Sequence, residues 1–274
     1  MSGLTFAARG VVAVALSLVA VTASAQAVAD TQKPFEPVSG QAGKDVVWVP
    51  TPQATVDKML DLAKVTPQDY VIDLGSGNGV TVITAAKRGA TALGVEFNPE
   101  MVKLARRLAS EAGVADKATF VEGDLFEADL SKATVITLFL LPDINEKLRP
   151  KLLDLKPGTR LVSHAFSMGD WTPEQKETLA PRYDVYLWIV PAKVEGHWTV
   201  QRGEKTFTVD LKQKYQQFEG TAQIDGKPVP VTNGRLHGKG ITFDIKVDNQ
   251  FGTFRGEVDG DAIKGAGGWQ AKRA

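Results

Sequence analysis

The residues with the clearest chemical use are Asp73-Leu74-Gly75-Ser76-Gly77-Asn78-Gly79, which follow the apolar run 70–74 and open a helical stretch at 80–88. Glycines let a chain turn tightly and approach a ligand with no Cβ in the way. The helix beyond presents unpaired N–H groups, which suit a carboxylate. Two more acids follow apolar runs. Glu96 closes the run 92–96 and can accept both hydroxyls of a ribose; hydrogen bonds to a charged group contribute roughly 1.5–3 kcal/mol each. Asp124 lies in Val121-Glu122-Gly123-Asp124-Leu125, where it can meet the amino group of an adenine while Leu125 covers the ring. Three acids after three successive strands make one consistent site. The plain alternative is a tight turn and two solvated acids. The spacing Gly-x-Gly-x-Gly departs from the dinucleotide fingerprint Gly-x-Gly-x-x-Gly, and no hydride-transfer constellation accompanies it.

Four further residues carry possible chemistry. Asp143, after the apolar run 135–139, can orient an amine or cap the helix expected over 144–153, and capping is the commoner use. His164 ends the run 160–164 and belongs at the edge of the same site, although a structural histidine is the more frequent case. Trp171 can wall a channel or pack in the core. His197 opens the C-terminal region in Gly196-His197-Trp198. The three histidines, His164, His197 and His237, are scattered without ligand spacing, and no metal is expected.

These residues need elements to position them. Apolar spacing predicts helices over 53–65, 80–88, 99–112 and 144–153. Between them lie short apolar runs over 70–74, 92–96, 118–121, 135–139 and 160–164. The alternation predicts an α/β domain: a Rossmann-like, mostly parallel sheet with helices on both faces. Ligands of such sheets bind beyond the carboxyl ends of the strands, where the three acids fall. After Pro191 the helical pattern stops. Period-two stretches (206–211, 241–245) and the turn signals Asp225-Gly226, Asn233-Gly234 and Asp259-Gly260 predict a small antiparallel all-β domain, a sandwich or barrel.

Taken together, Asp73–Gly79, Gly94-Val95-Glu96-Phe97-Asn98-Pro99 and Gly123-Asp124-Leu125 resemble the class I methyltransferases. Residues 46–191 are similar, more narrowly, to the small protein-lysine methyltransferases of the mitochondrial ATP synthase c-subunit and adenine nucleotide carrier type and their bacterial relatives. Val49-Pro50-Thr51-Pro52, Leu141-Pro142 and Phe166-Ser167-Met168-Gly169-Asp170-Trp171-Thr172-Pro173 carry the narrower match. The resemblance implies S-adenosyl-L-methionine as cofactor, held by Asp73, Gly75, Ser76, Gly77, Gly79, Glu96, Asn98, Asp124 and Leu125. It implies Thr51, Pro142 and Trp171 along the acceptor channel, and a protein lysine or a small molecule as acceptor. Asn78 stands where those relatives more often have Asp, and Val80 where they have a basic residue. The loop after the fourth strand lacks the Asn/Asp-Pro-Pro-Tyr/Phe signature of methylases acting on base amines. Gly196-x-Trp198 is similar to the lipocalin opening, with Arg273 stacking on that Trp, but the module is short for a full lipocalin barrel.

Lys+Arg and Asp+Glu are each 32, so no basic excess points to nucleic acid. Cysteine is absent, which excludes disulfides and thiolate chemistry. Arg9, the apolar run 11–21 and Ala23-Ser24-Ala25-Gln26-Ala27 read as a cleavable secretory signal, too short for the roughly 20 residues of a bilayer span. The expected organisation is a signal over 1–27, a linker over 28–45, a methyltransferase domain over 46–192 and a β domain over 193–274, periplasmic and without a membrane span after signal removal. Because the cofactor is made in the cytoplasm, a second reading is a non-enzymatic binding or scaffold protein that retains a nucleoside pocket.

Overall fold

The central strands are buried on both faces. β1 (Tyr70–Leu74), β4 (Val135–Leu138) and β5 (Arg160–His164) are buried at nearly every position, which is why they read as continuous apolar runs. With β2 (Thr91–Glu96), β3 (Ala118–Glu122), β6 (Gln175–Thr178) and β7 (Asp184–Ile189) they form one sheet in the order β3-β2-β1-β4-β5-β7-β6. β1 to β5 run parallel, and β7 lies antiparallel between β5 and β6. The computed structural model describes residues 1–3, 35–180, 183–247 and 250–274, so almost all of the expected signal lies outside the described residues. Among those described, no helix is long and apolar enough to cross a membrane.

Alternate strand residues face opposite layers. Val71, Val135 and Val162 pack with α1 (Gln53–Leu62), α2 (Val80–Lys87) and α3 (Pro99–Glu111). Ile72, Ile136 and Leu161 pack with α4 (Pro142–Leu153). Val56, Met59 and Leu60 of α1 and Ala63 at its C-cap recur on one face and are at most 2% exposed. Burying each large apolar side chain contributes roughly 1.5–3 kcal/mol. The helix N-termini follow local chemistry. Asn98 caps α3, its side chain accepting from Glu100 N at 2.9 Å, with Pro99 at the first helical position. α4 begins at Pro142, two residues earlier than its periodicity suggests, because the fixed φ of proline suits the first helical position. Asp143 therefore sits in the first turn and not at the cap, which is Leu141.

The C-terminal region is an eight-stranded closed barrel: β8 (Gly196–Arg202), β9 (Lys205–Lys214), β10 (Gln217–Ile224), β11 (Lys227–His237), β12 (Gly240–Val247), β13 (Gln250–Asp259), β14 (Ala262–Gly265) and β15 (Trp269–Arg273). It closes despite its length because most hairpin loops are two residues long. Asp225-Gly226 is such a turn, both residues having positive φ (51° and 74°). Asn233-Gly234 is not a turn. It is a bulge inside β11, where the pairing with β12 shifts register, and Asn233 Nδ2 donates to Asp244 Oδ2 at 2.9 Å. Aromatic rings fill the interior: Phe243 stacks on Phe254 at 5.0 Å and Trp269 meets both edge-on. Arg273 lies over the Trp198 ring at 4.5 Å.

The barrel is bonded into the first domain through its β9–β10 turn. Trp171 Nε1 donates to Gln216 Oε1 at 2.9 Å, and Gln216 Nε2 donates to Thr172 O at 2.8 Å. Asp170 accepts from Tyr215 Oη at 2.6 Å and pairs with Arg149 and Lys214 at 2.9 Å each. Trp171 and Gln216 are both buried. Trp171, expected along the acceptor channel, is thus a seam residue, because its indole N–H finds its acceptor in the barrel. Gln216→Ala leaves that buried N–H unpaired, and urea denaturation is expected to show a loss of about 1–3 kcal/mol in one transition common to both domains. Two separate transitions, only one of them shifted, would contradict the coupling.

Candidate functional site

The strand order reverses between β1 and β4, and the loops beyond their carboxyl ends enclose a cavity of about 560 Å³. Of the nine residues expected to hold the cofactor, all except Gly79 line it. Gly79 instead shapes the turn: its φ is +81°, and a Cβ there would stand 2.6 Å from the Phe120 ring. At Gly77, φ is +52° and a Cβ would come within 2.5 Å of Trp48 Nε1, so the indole lies directly on the glycine loop. Asn98 lines the cavity while its side chain caps α3.

Asp73 is the buried centre of the site, 6% exposed. Its Oδ1 accepts from Thr137 Oγ1 at 2.6 Å, and Thr81 also bonds to the carboxyl. Burial, reinforced by the nearby Glu96 charge, pushes it up to about 7 in spite of these bonds. Glu96 ties two loops together: Oε2 accepts from Gly77 N and Oε1 from Asn98 N, each at 2.9 Å. Each oxygen keeps a free lone pair for a further donor. The Gly75 and Ser76 amides both donate to Val95 O. Ser76 Oγ is buried without a partner among the described residues. Asp124 Oδ1 accepts from Phe126 N, and Lys44 binds Oδ2 at 2.5 Å. Lys44 and then the Phe126 amide hold Asp124 below the usual carboxylate range.

Beyond β4 and β5 the cavity lining is apolar and aromatic, formed by Phe139, Leu141 and Phe166; Thr51 also lines the cavity. The Phe139 and Phe166 rings are stacked, 16° apart in plane with centroids 6.2 Å apart. Phe166 is aimed by a tight turn in which its N–H donates to His164 O, with Ala165 at φ +64°. Asn145 of α4 braces the turn, Nδ2 donating to Ser163 Oγ and to the Phe166 and Ser167 carbonyls. His164 lies behind this wall. It packs against Phe139 at 4.1 Å and Tyr183 at 5.6 Å, both ring nitrogens lack partners among the described residues, and burial lowers it to about 4. It is therefore a neutral packing residue and not a wall of the cavity. Pro142 and Asp143 also fall outside the lining, since α4 starts at Pro142 and turns them away.

The family model of the ANTKMT methyltransferase domain matches residues 73–175. A protein-lysine N-methyltransferase of Saccharolobus islandicus is 45% identical over 151 residues, covering 53% of this chain and 94% of that protein. The chain belongs to this methyltransferase family. A lysine N-methyltransferase of the ATP synthase c-subunit from Xenopus laevis is 30% identical over 61% of this chain and 68% of its own length. A crystal structure of an RNA methyltransferase from Salinibacter ruber, in complex with S-adenosyl-L-homocysteine, shares 52% identity over 53% of this chain and 96% of its own, with a TM-score of 0.52. The protein is an S-adenosylmethionine-dependent methyltransferase. The barrel lies outside the residues of the family match, and almost none of the Saccharolobus protein is left over to contain one.

The residues fit the cofactor by their own chemistry. Lining the same cavity are the glycine-loop backbone, the unpartnered Ser76 hydroxyl, the buried Asp73 carboxyl, and the acid Asp124 together with the apolar Phe97 and Leu125. Several contributors escape sequence reading. Lys44 and Trp48 come from a stretch without apolar period, Phe139 read only as a strand-end apolar residue, and Phe166 entered only as part of the segment 166–173 that carries the family resemblance, without a role of its own. Thr137 carried one usable signal, being the sole polar residue paired with Asp73 in an otherwise apolar β4.

Asp73 makes binding pH-dependent. Its folded value lies above the unfolded 3.8, so its contribution to stability is full below 3.8 and is lost as pH rises through about 7. The cofactor carries cationic groups and prefers the carboxylate, so binding must expel the proton. The Kd for S-adenosylhomocysteine is expected to rise about tenfold per pH unit below pH 7. Calorimetry across pH checks this, and Asp73→Asn should flatten the profile while weakening binding.

Proposed function

We propose that this chain methylates a protein lysine and is exported to the periplasm. The observation that carries the acceptor class is the apolar aromatic end of the cavity, where Phe139, Phe166 and Leu141 stand with no charged side chain among the described residues of that wall. Such a wall suits the aliphatic stem of a lysine. Relatives named for lysine acceptors support the same class. The cofactor supplies a methyl group on a sulfonium, already activated for in-line displacement. The chain therefore needs to orient, desolvate and exclude water, and alignment alone is worth on the order of 7–11 kcal/mol. The amine must arrive neutral, and the apolar wall favours that form by raising the cost of the charged one. With His164 behind Phe139, the proton leaves to water, so the transfer rate should climb with pH until the acceptor lysine is deprotonated.

Export rests on Arg9, the apolar run 11–21 and the Ala-x-Ala tripeptides at 23–27. N-terminal sequencing of protein from the periplasmic fraction should read a start after Ala25 or Ala27; an intact Met1 in the cytoplasm would count against it. For the acceptor, cell-envelope extract incubated with the enzyme and methyl-labelled S-adenosylmethionine should yield labelled Nε-methyl-lysine on acid hydrolysis. Label released by ribonuclease would favour RNA, the acceptor class named for the Salinibacter relative. Phe166→Ala should lower kcat/KM for the acceptor roughly tenfold, the scale of an aromatic anchor, with S-adenosylhomocysteine affinity nearly unchanged.

A further inference from the structure

Residues 38–48 form a strap across the cofactor cavity. Gly40 N donates to Trp48 O at 2.8 Å and Trp48 N to Gln41 O at 2.9 Å, pinching the segment into a loop. At its foot, Gln41 N donates to Val38 O and Val38 N to Gln41 Oε1, each at 2.9 Å. Trp48 rests on Gly77, and Val46 packs against the core of the α4 face. The strap is thus fixed at both ends, and Lys44 sits at its tip. Lys44 Nζ lies 2.5 Å from Asp124 Oδ2 and 5.1 Å from the Phe97 ring centroid. Among the described residues it is the only cation lining a cavity that holds four acids: Asp45, Asp73, Glu96 and Asp124.

The position of that ammonium is specific. Phe97 follows Glu96 at the end of β2, and Asp124 and Leu125 follow β3, so a flat base placed here lies between Phe97 and Leu125 with its exocyclic amine on Asp124. The Lys44 ammonium stands between Phe97 and Asp124. Both carboxylate oxygens already have donors, Phe126 N on Oδ1 and Lys44 on Oδ2. We propose that Lys44 is a built-in competitor for the base end of the cofactor cavity, and that binding exchanges the Lys44–Asp124 ion pair for contacts with the base. This rests on the assignment of Phe97 and Asp124 to the base end. The pair is partly exposed, the side chains being 34% and 29% accessible, so it is a weak and salt-sensitive competitor and not a block. A loop of this kind sets how easily the cofactor enters and leaves without touching the methyl-transfer end.

A lysine that instead stayed in place and covered the base would help binding, so the two roles differ in sign. The test is calorimetric titration of S-adenosylhomocysteine into the full chain and into Lys44→Gln and Lys44→Arg, at about 0.02 M and about 0.5 M salt. The wild type and Lys44→Arg should bind more tightly at high salt, which screens the pair that must break. Lys44→Gln should bind about two- to five-fold more tightly than the wild type at low salt, the scale of an exposed ion pair, and lose the salt dependence. Equal or weaker binding by Lys44→Gln at low salt overturns the proposal and leaves the cofactor site standing. Failure of the folded wild type to bind at all overturns the base-end assignment together with it.

Discussion

A carboxyl group taken out of water must be neutral, paired or solvated by hydrogen bonds, and Asp73 combines the first and the third. Thr137 and Thr81 bond to it, burial keeps it protonated to about 7, and the nearby Glu96 adds a like charge. Its position follows from topology: β1 ends where the strand order reverses, and β4, carrying Thr137, is its direct neighbour there. The glycine loop must bend away at that point, which leaves the carboxyl capped by protein on one side and facing the cavity on the other. A cation arriving from the cavity side meets a group that gains more from ionising than any exposed acid would. The site is therefore primed by what it withholds from Asp73.

The opposite end of the cavity works by different means. It offers rings and methylene groups, and the one histidine near it is shielded behind Phe139. An activated methyl group needs no proton donor or acceptor at the moment of transfer, so a wall that excludes water and fixes direction is sufficient. The tight turn at Ala165 and the Asn145 brackets show where precision is maintained: in the backbone that carries Phe166.

Much of the sheet was legible because β1, β4 and β5 are buried on both faces and leave unbroken apolar runs between helical periods. β6 and β7 were not, since β6 is four largely exposed residues and β7 mixes buried with half-buried positions. The acids of the site were legible from their places after successive strands. The strap was not: its hold depends on three backbone bonds and a lysine whose partner lies eighty residues away, and nothing in a short stretch with two glycines and no helical or strand period announces such a pairing. The two readings of Trp171, channel wall or core, could not be separated for the same reason, its decisive partner being Gln216 in another domain. Asn233-Gly234 had the chemistry of a turn, but the neighbouring strand continued past it and made it a bulge.

The seam between the domains decides what can be cut away from the chain. The family's fold is complete without a barrel, as the Saccharolobus and Salinibacter proteins illustrate by their near-full coverage. In this chain Trp171 depends on Gln216 for its hydrogen bond, and Asp170 gathers Arg149 from one side and Tyr215 and Lys214 from the other. Trimming the gene back at Pro191 would strip the cover from a buried tryptophan and leave a carboxylate without two of its partners. The barrel therefore serves as part of the first domain's own core: it supplies the acceptor for a buried indole and two of the partners of a surface carboxylate.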